Sequence, residues 1–219
     1  MDLKPSVVLA ACLLSACATP AATDAPVAAV EETGPQCNLL PREVWASSAY
    51  AGWSQAALCD AGQRALWHGT PDGIARVTRF TFTHGHSSFF RYAVISERDD
   101  GRAWIEAGGA GYAPGPVAGV RGAWEELPVY RRDISAEDLA RFNALAAETG
   151  TFDHSVGTWD GGELFMHCDL LEMERAEGDS YSFSSVNIGC NQPERLMPMV
   201  RLVMDLARLE FADDGRSIR

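Results

Sequence analysis

The sequence predicts an α+β fold, an antiparallel β-sheet with helices packed on one face and stabilised by disulfides. Three observations lead there. Residues 76–84, 89–97 and 161–190 carry extended apolar-rich runs joined by tight polar turns, the pattern of strands and hairpins. The segments after Ser135 and Asn191 instead space their apolar residues three and four apart, as amphipathic helices do. Four cysteines stand within the same region, Cys37, Cys59, Cys168 and Cys190. The order β-β-β-β-α-β-β-α with short connections favours antiparallel pairing and places the helices against the sheet.

Composition bounds the rest. A chain of 219 residues with 47% hydrophobic residues and six Trp is sufficient for one sizeable core, and residues 37–212 are expected to form it as a single globular domain, with 213–219 a flexible tail. The formal charge of -12 repels phosphate backbones, so no nucleic-acid partner is expected. Lys4 is the only lysine. If the N-terminus is removed, the mature chain has none, which excludes Schiff-base chemistry, P-loop phosphate binding and Ser-Lys hydrolysis.

Residues 1–16 have the pattern of an export signal: a slightly positive start and an apolar run from Ser6, too short to span a bilayer. At its end, Leu14-Ser15-Ala16-Cys17 resembles the lipobox of bacterial lipoproteins. The resemblance implies cleavage before Cys17 and acylation of that residue with palmitate-type chains, giving a stable membrane anchor. A second match, Leu9-Ala10-Ala11-Cys12, leaves too short an apolar run before it. Ala18 after the acylated Cys implies, by the same analogy, the outer membrane and a periplasmic domain. Residues 17–36, rich in Ala, Thr and Pro and without aromatics, read as a disordered tether with a span of roughly 25 Å.

In chain order, residues 39–67 mix four aromatics with alanines and have no clean period; a helix is expected after Pro41. The alternation Val77-Thr78-Arg79-Phe80-Thr81-Phe82-Thr83-His84 gives a first strand with Phe80, Phe82 and His84 on one face. A second runs from Phe89, turns at Asp99-Asp100-Gly101 and returns through Ala103-Trp104-Ile105-Glu106. Residues 108–122 hold six Gly and two Pro and predict a loop, and 123–132 another strand. Ser135 with Asp138 forms a capping-box variant, Ile134 and Leu139 a hydrophobic staple, and Gly150 a stop signal. The hairpin of 161–190 is expected to turn at Ala176-Glu177-Gly178-Asp179. A last helix follows Asn191, with Pro198 producing a kink or a late start.

The four domain cysteines permit three pairings in an oxidising compartment, and nearness in sequence favours Cys37 with Cys59 and Cys168 with Cys190. A hairpin centred on 177–178 would set Cys168 opposite Asn187, so Cys190 must curl back to reach it. None of these cysteines has the close spacing of zinc knuckles.

The run Gly108-Gly109-Ala110-Gly111-Tyr112-Ala113-Pro114-Gly115, the capped helix ending in Thr151-Phe152, the Trp159-Asp160-Gly161-Gly162-Glu163 strand entry and the Tyr181 return strand resemble proteobacterial envelope proteins of unknown function. The resemblance spans roughly residues 67–209. It implies one domain and carries no activity over.

Candidate chemistry is sparse. His84-Gly85-His86, with His154 or His167 and Asp153, Asp160 or Glu163, is the available metal-ligand set, and Asp160, Glu163 and His167 the available acid-base set. No Gly-x-Ser-x-Gly or His-Glu-x-x-His occurs. Among the Trp residues, Trp159 in its Asp-Gly-Gly turn is the candidate for an exposed binding platform. No cofactor is expected. The leading expectation is a lipid-anchored periplasmic domain with a binding or structural role in the cell envelope, with the membrane and an envelope protein as partners. The alternative is an envelope hydrolase or metal-dependent enzyme using His84, His86, His167 and nearby carboxylates.

Overall fold

The structure, a computed structural model, describes residues 37–47, 51–84, 89–114, 121–158, 169–189 and 192–210. All of them belong to the compact unit Cys37–Arg219. The elements are α1 (Arg42–Ser47), α2 (Ala51–Asp60), β1 (Ile74–His84), β2 (Phe89–Arg98), β3 (Ala103–Pro114), β4 (Arg121–Ile134), α3 (Ala136–Thr149), β5 (Val156–Thr158), β6 (Asp169–Glu177), β7 (Ser180–Asn187) and α4 (Met197–Ala207). The α+β class holds. Six strands pair antiparallel in the order β4-β3-β2-β1-β6-β7, and the short β5 adds to the β7 edge in parallel. Among the described residues no helix is long and apolar enough to cross a membrane.

The centre of the sheet is β1, paired with β2 on one side and β6 on the other. Its alternation divides the protein into two layers. Phe80 and Phe82 point to the face covered by α3 and α4, where they join Ile95, Ile105, Leu171, Met173, Phe142 and the apolar side of α4. Helix α4 is almost wholly apolar toward the sheet, burying Met199, Val200, Leu202, Val203 and Leu206 among others. Each such side chain contributes about 1.5–3 kcal/mol on leaving water, so this layer carries most of the fold. Helix α3 begins and ends as its sequence requires. Ser135 Oγ accepts from Asp138 N at 3.0 Å, and Gly150, at φ 65°, donates its N–H to Ala147 O. Helix α4 starts late, at Met197 with Pro198 in the first turn, where the missing N–H costs nothing. Asn191, the expected cap, lies outside the described residues.

The other face of the sheet is covered as well. Phe90 and Tyr92 alternate with the core residues of β2 and point to a second layer made by Leu39 and Leu58, with Trp53 edge-on to Phe90. Leu40, Val44 and Ala51 pack on Phe183 of β7. Helices α1 and α2 therefore close the face opposite α3 and α4, and β2 needs this cover because it is apolar on both sides. Cys37 and Cys59 are joined, with Cα atoms 5.9 Å apart, and tie the start of this layer to the last turn of α2. Replacing both with Ser is expected to cost on the order of 3 kcal/mol through the freer unfolded chain. Urea denaturation checks this; an unchanged midpoint would mean that the cross-link restrains nothing. Cys168 and Cys190 lie outside the described residues.

Three expectations are corrected. Helices cover both faces of the sheet and not one, because β2 is apolar on both sides. Residues 108–114 form the second half of β3, and β4 starts at Arg121; only 115–120 lie outside the described residues. The glycines serve close packing within the sheet. A Cβ on Gly108 would stand 2.6 Å from the Tyr92 hydroxyl, so the tyrosine ring lies directly on the glycine opposite it. The hairpin turns at Gly178-Asp179, with Glu177 opposite Ser180 and Gly178 at φ 57°, which brings Leu170 opposite Asn187. The turn lies one residue later than expected because Glu177 continues the ladder to β1 through Arg76.

Candidate binding site

The layer formed by α1 and α2 stops short of β3 and β4 and leaves a trough across the sheet. Its near wall is the chain that leaves α2. Gly62 takes φ 65°, and Gln63 N reaches back to Leu58 O at 2.9 Å, the bonding of a helix stop with a left-handed glycine. That turn throws Gln63 over the sheet, beside Arg64 and Leu66. Burial, and then the negative charge of Glu106, push the Tyr92 hydroxyl above its ordinary pKa, so it stays protonated. Arg64 Nη2 donates to Gly69 O at 2.8 Å, and Thr70 N donates to Gly178 O at 3.1 Å. The loop is thus pinned both to itself and to the β6–β7 turn.

Beneath this loop lies a buried ion pair. Arg79 of β1 and Glu174 of β6 are cross-strand partners, 0% and 1% exposed. Arg79 Nε donates to Glu174 Oε2 at 2.6 Å, its Nη2 stands 2.6 Å from the same oxygen, and its Nη1 donates to Arg64 O at 2.8 Å. The other carboxylate oxygen accepts from the Tyr181 hydroxyl at 3.0 Å. Burial first, and then the charge of Glu174, push the Tyr181 hydroxyl far above its ordinary pKa and hold it as a donor. One buried cation therefore meets one carboxylate with added neutral partners, the arrangement a low-dielectric site tolerates. Its effect is to clamp the loop carrying Gln63 and Arg64 onto β1.

The trough has two compartments. The first, about 360 Å³, lies between the loop and β1–β3, with Leu66, Ile74, Val77 and Val94 as its apolar lining and Arg79 in its floor. The second, about 330 Å³, lies toward the end of the sheet beside Arg98, Arg102 and Asp133. Trp104 and Arg131 line both. They occupy β3 and β4, where Trp104 pairs with Asp133 and Arg131 with Glu106, so the two side chains meet diagonally. The Arg131 guanidinium lies 4.8 Å from the centroid of the Trp104 ring, a cation–π stack that divides the compartments.

The opposite face contains the one Ser–His contact among the described bonds. Ser184 Oγ donates to Thr151 O at 2.8 Å and lies 2.8 Å from His154 Nε2. A hydroxyl has one proton, and a carbonyl can only accept. The Ser184 proton therefore goes to Thr151, and Nε2 of His154 is the donor to Ser184. An imidazole in that state cannot act as base to the serine, and Ser184 is 0% exposed. The pair fastens the end of α3 to β7. Arg175 has a comparable role nearby. It lies 3.8 Å from the Phe152 centroid and donates from Nε to Thr78. Burial brings its pKa down to about 10.

Of the residues singled out from sequence, Cys37 and Cys59 are joined as expected. His84 ends β1 opposite Asp169, and its side chain lies outside the described residues. His86, Trp159, Asp160, Glu163, His167 and Cys17 also lie outside them. Among the described residues no group of three His, Cys, Asp or Glu side chains converges to hold a metal ion. Sequence reasoning did not single out Trp104 with Arg131, or Arg79 with Glu174. The available signal was slight: Arg79 stands among the Thr and Phe of β1, and Glu172, Glu174 and Arg175 stand within β6, charged residues inside strands that are otherwise largely buried. No protein-family model matches this sequence, and no curated protein matches it.

Proposed function

We propose that this chain is an envelope lipoprotein, held at the periplasmic side of the outer membrane by acylated Cys17, whose domain works by binding. The observation that carries the binding role is the trough around Trp104 and Arg131. It is open, of ligand-binding size by the usual range of roughly 300–1,000 Å³, and has apolar, aromatic and guanidinium groups side by side. Its wall is held by Arg79 on Arg64 and by Thr70 on Gly178, so the lining is in place before a ligand arrives. The membrane half of the proposal rests on Leu14-Ser15-Ala16-Cys17 and on the Ala-Thr-Pro tether that follows, which supplies reach without fixing orientation. A protein of the envelope is a second partner compatible with that tether.

Two experiments test the halves separately. The full-length chain is expected in the membrane fraction with incorporated palmitate, and the Cys17→Ser chain in the soluble periplasmic fraction without it. A Cys17→Ser chain that stays membrane-bound would overturn the anchor. For the domain, small molecules from envelope extract retained by the full-length protein are identified by mass. Recovery of a retained compound unchanged is the expected result, and its conversion to product would replace binding with catalysis.

A further inference from the structure

From the charge and shape of the trough we infer the class of its ligand: a small monoanionic carboxylate carrying an apolar or ring-shaped body. The inference rests on the binding role proposed above and not on the lipid anchor. The apolar body fits the first compartment, against Leu66, Val77 and Val94, with the Trp104 ring as the wall on which a flat group can lie. The carboxylate fits at the boundary with the second compartment, where Arg131 is held over Trp104 and Arg98 lies beyond.

Charge selects the anion. The chain as a whole is at -12, yet the second compartment gathers Arg98, Arg102 and Arg131 against Asp133. Asp100 joins them, 2.6 Å from Arg102 and 3.9 Å from Arg98. Over both compartments, with Arg79 paired to Glu174, four guanidiniums (Arg64, Arg98, Arg102 and Arg131) against three carboxylates (Asp100, Asp133 and Glu106) leave a single net positive charge, enough to balance a monoanion. A phosphate dianion would leave an excess negative charge facing Asp133 and Glu106, which lines the first compartment. The planar guanidinium fork of Arg131 suits a carboxylate, and stacking on Trp104 restricts its motion in advance. The body is apolar because the wall opposite the guanidiniums is aliphatic, and a wholly polar acid would bury nothing there.

The test uses the full-length protein and four probes in isothermal titration. These are N-acetyl-L-phenylalanine, its uncharged amide, N-acetylglycine and phenyl phosphate. N-acetyl-L-phenylalanine is expected to bind saturably. Its amide and N-acetylglycine are each expected to bind about tenfold more weakly or worse, since a charge-assisted bond or an apolar side chain is lost. Arg131→Gln, at an exposed position, is expected to bring the acid down to the level of the amide with an unchanged melting temperature. Trp104→Phe should retain binding of the acid, and Trp104→Ala should weaken acid and amide together. Equal binding of acid and amide, tighter binding of phenyl phosphate, or an Arg131→Gln chain that binds the acid as the parent does would overturn the ligand class and leave the binding role standing. Binding of none of the four, by a protein that still retains another compound from envelope extract, overturns the class alone. Retention of nothing overturns both.

Discussion

Replacing Arg79 by Met lowers the stability of the domain by about 3–5 kcal/mol, the range for leaving one member of a buried ion pair without its partner. The expectation rests on where the charge goes. Glu174 is 1% exposed and would be left with the Tyr181 hydroxyl, a single neutral donor, in place of a guanidinium bonded to one of its oxygens. Arg79 also bonds Arg64 O, so the same substitution frees the loop that walls the trough. The double variant Arg79→Met with Glu174→Gln removes the orphaned charge while leaving an acceptor for Tyr181. It is expected to recover a large part of the loss, because exchanging a whole buried pair for uncharged groups is often close to neutral. Urea denaturation of the full chain measures both. A loss below about 1 kcal/mol in the single variant, typical of exposed pairs, would show that the pair is not isolated from water. A double variant as unstable as the single one would place the effect in the lost loop contact instead.

The parts of this fold that are legible in the sequence are those written in local chemistry. Ser135 and Gly150 mark the ends of α3 within one turn of the chain, and the alternation from Val77 to His84 gives β1 its two faces. Three features depend on partners distant in sequence, and no local pattern reports them. Gly108 and Gly109 look like loop residues until Tyr92 and Phe90 of the neighbouring strand are seen to occupy the space their side chains would need. The short β5 exists only because Phe183 N bonds Ser155 O and draws three residues alongside β7. Helix α1, at 6 residues, is too short to show an apolar face by period, and the alanines of α2 blur its own; their position follows from the two-sided apolar character of β2. The trough belongs to the same category. Trp104 and Arg131 meet through the register of β3 on β4, and Arg79 and Glu174 through that of β1 on β6. Arg79 reads in sequence as an ordinary polar residue on a half-exposed strand. It is the cover supplied by residues 62–70 that turns it into a buried clamp.

Gly109→Ala is expected to be among the most damaging single substitutions in the sheet. A Cβ there would lie 2.1 Å from Phe90 O and 2.9 Å from Arg91 Cα, both main-chain atoms of the adjacent strand that no rotamer change can move. The residue also takes φ 156°, outside the ordinary range of an L-residue, next to the register shift between Ala107 and Gly109 where β3 meets β4. Relief requires β2 and β3 to separate, and that breaks the ladder which sets Trp104 over the trough. The expected loss is about 3 kcal/mol or more, larger than the roughly 1–2 kcal/mol of left-handed strain alone. Gly73→Ala provides the comparison. It too has positive φ, 76°, but a Cβ there meets nothing within 4 Å, so it should lose only the strain. Denaturation midpoints of the two variants separate backbone strain from strand crowding. Equal losses would show that β2 and β3 adjust around Gly109 without cost, and that close packing of the strands is not what the glycine serves. If Gly109→Ala yields no folded protein while Gly73→Ala does, the main-chain contacts with Phe90 and Arg91, which Gly73 lacks, account for the excess over backbone strain.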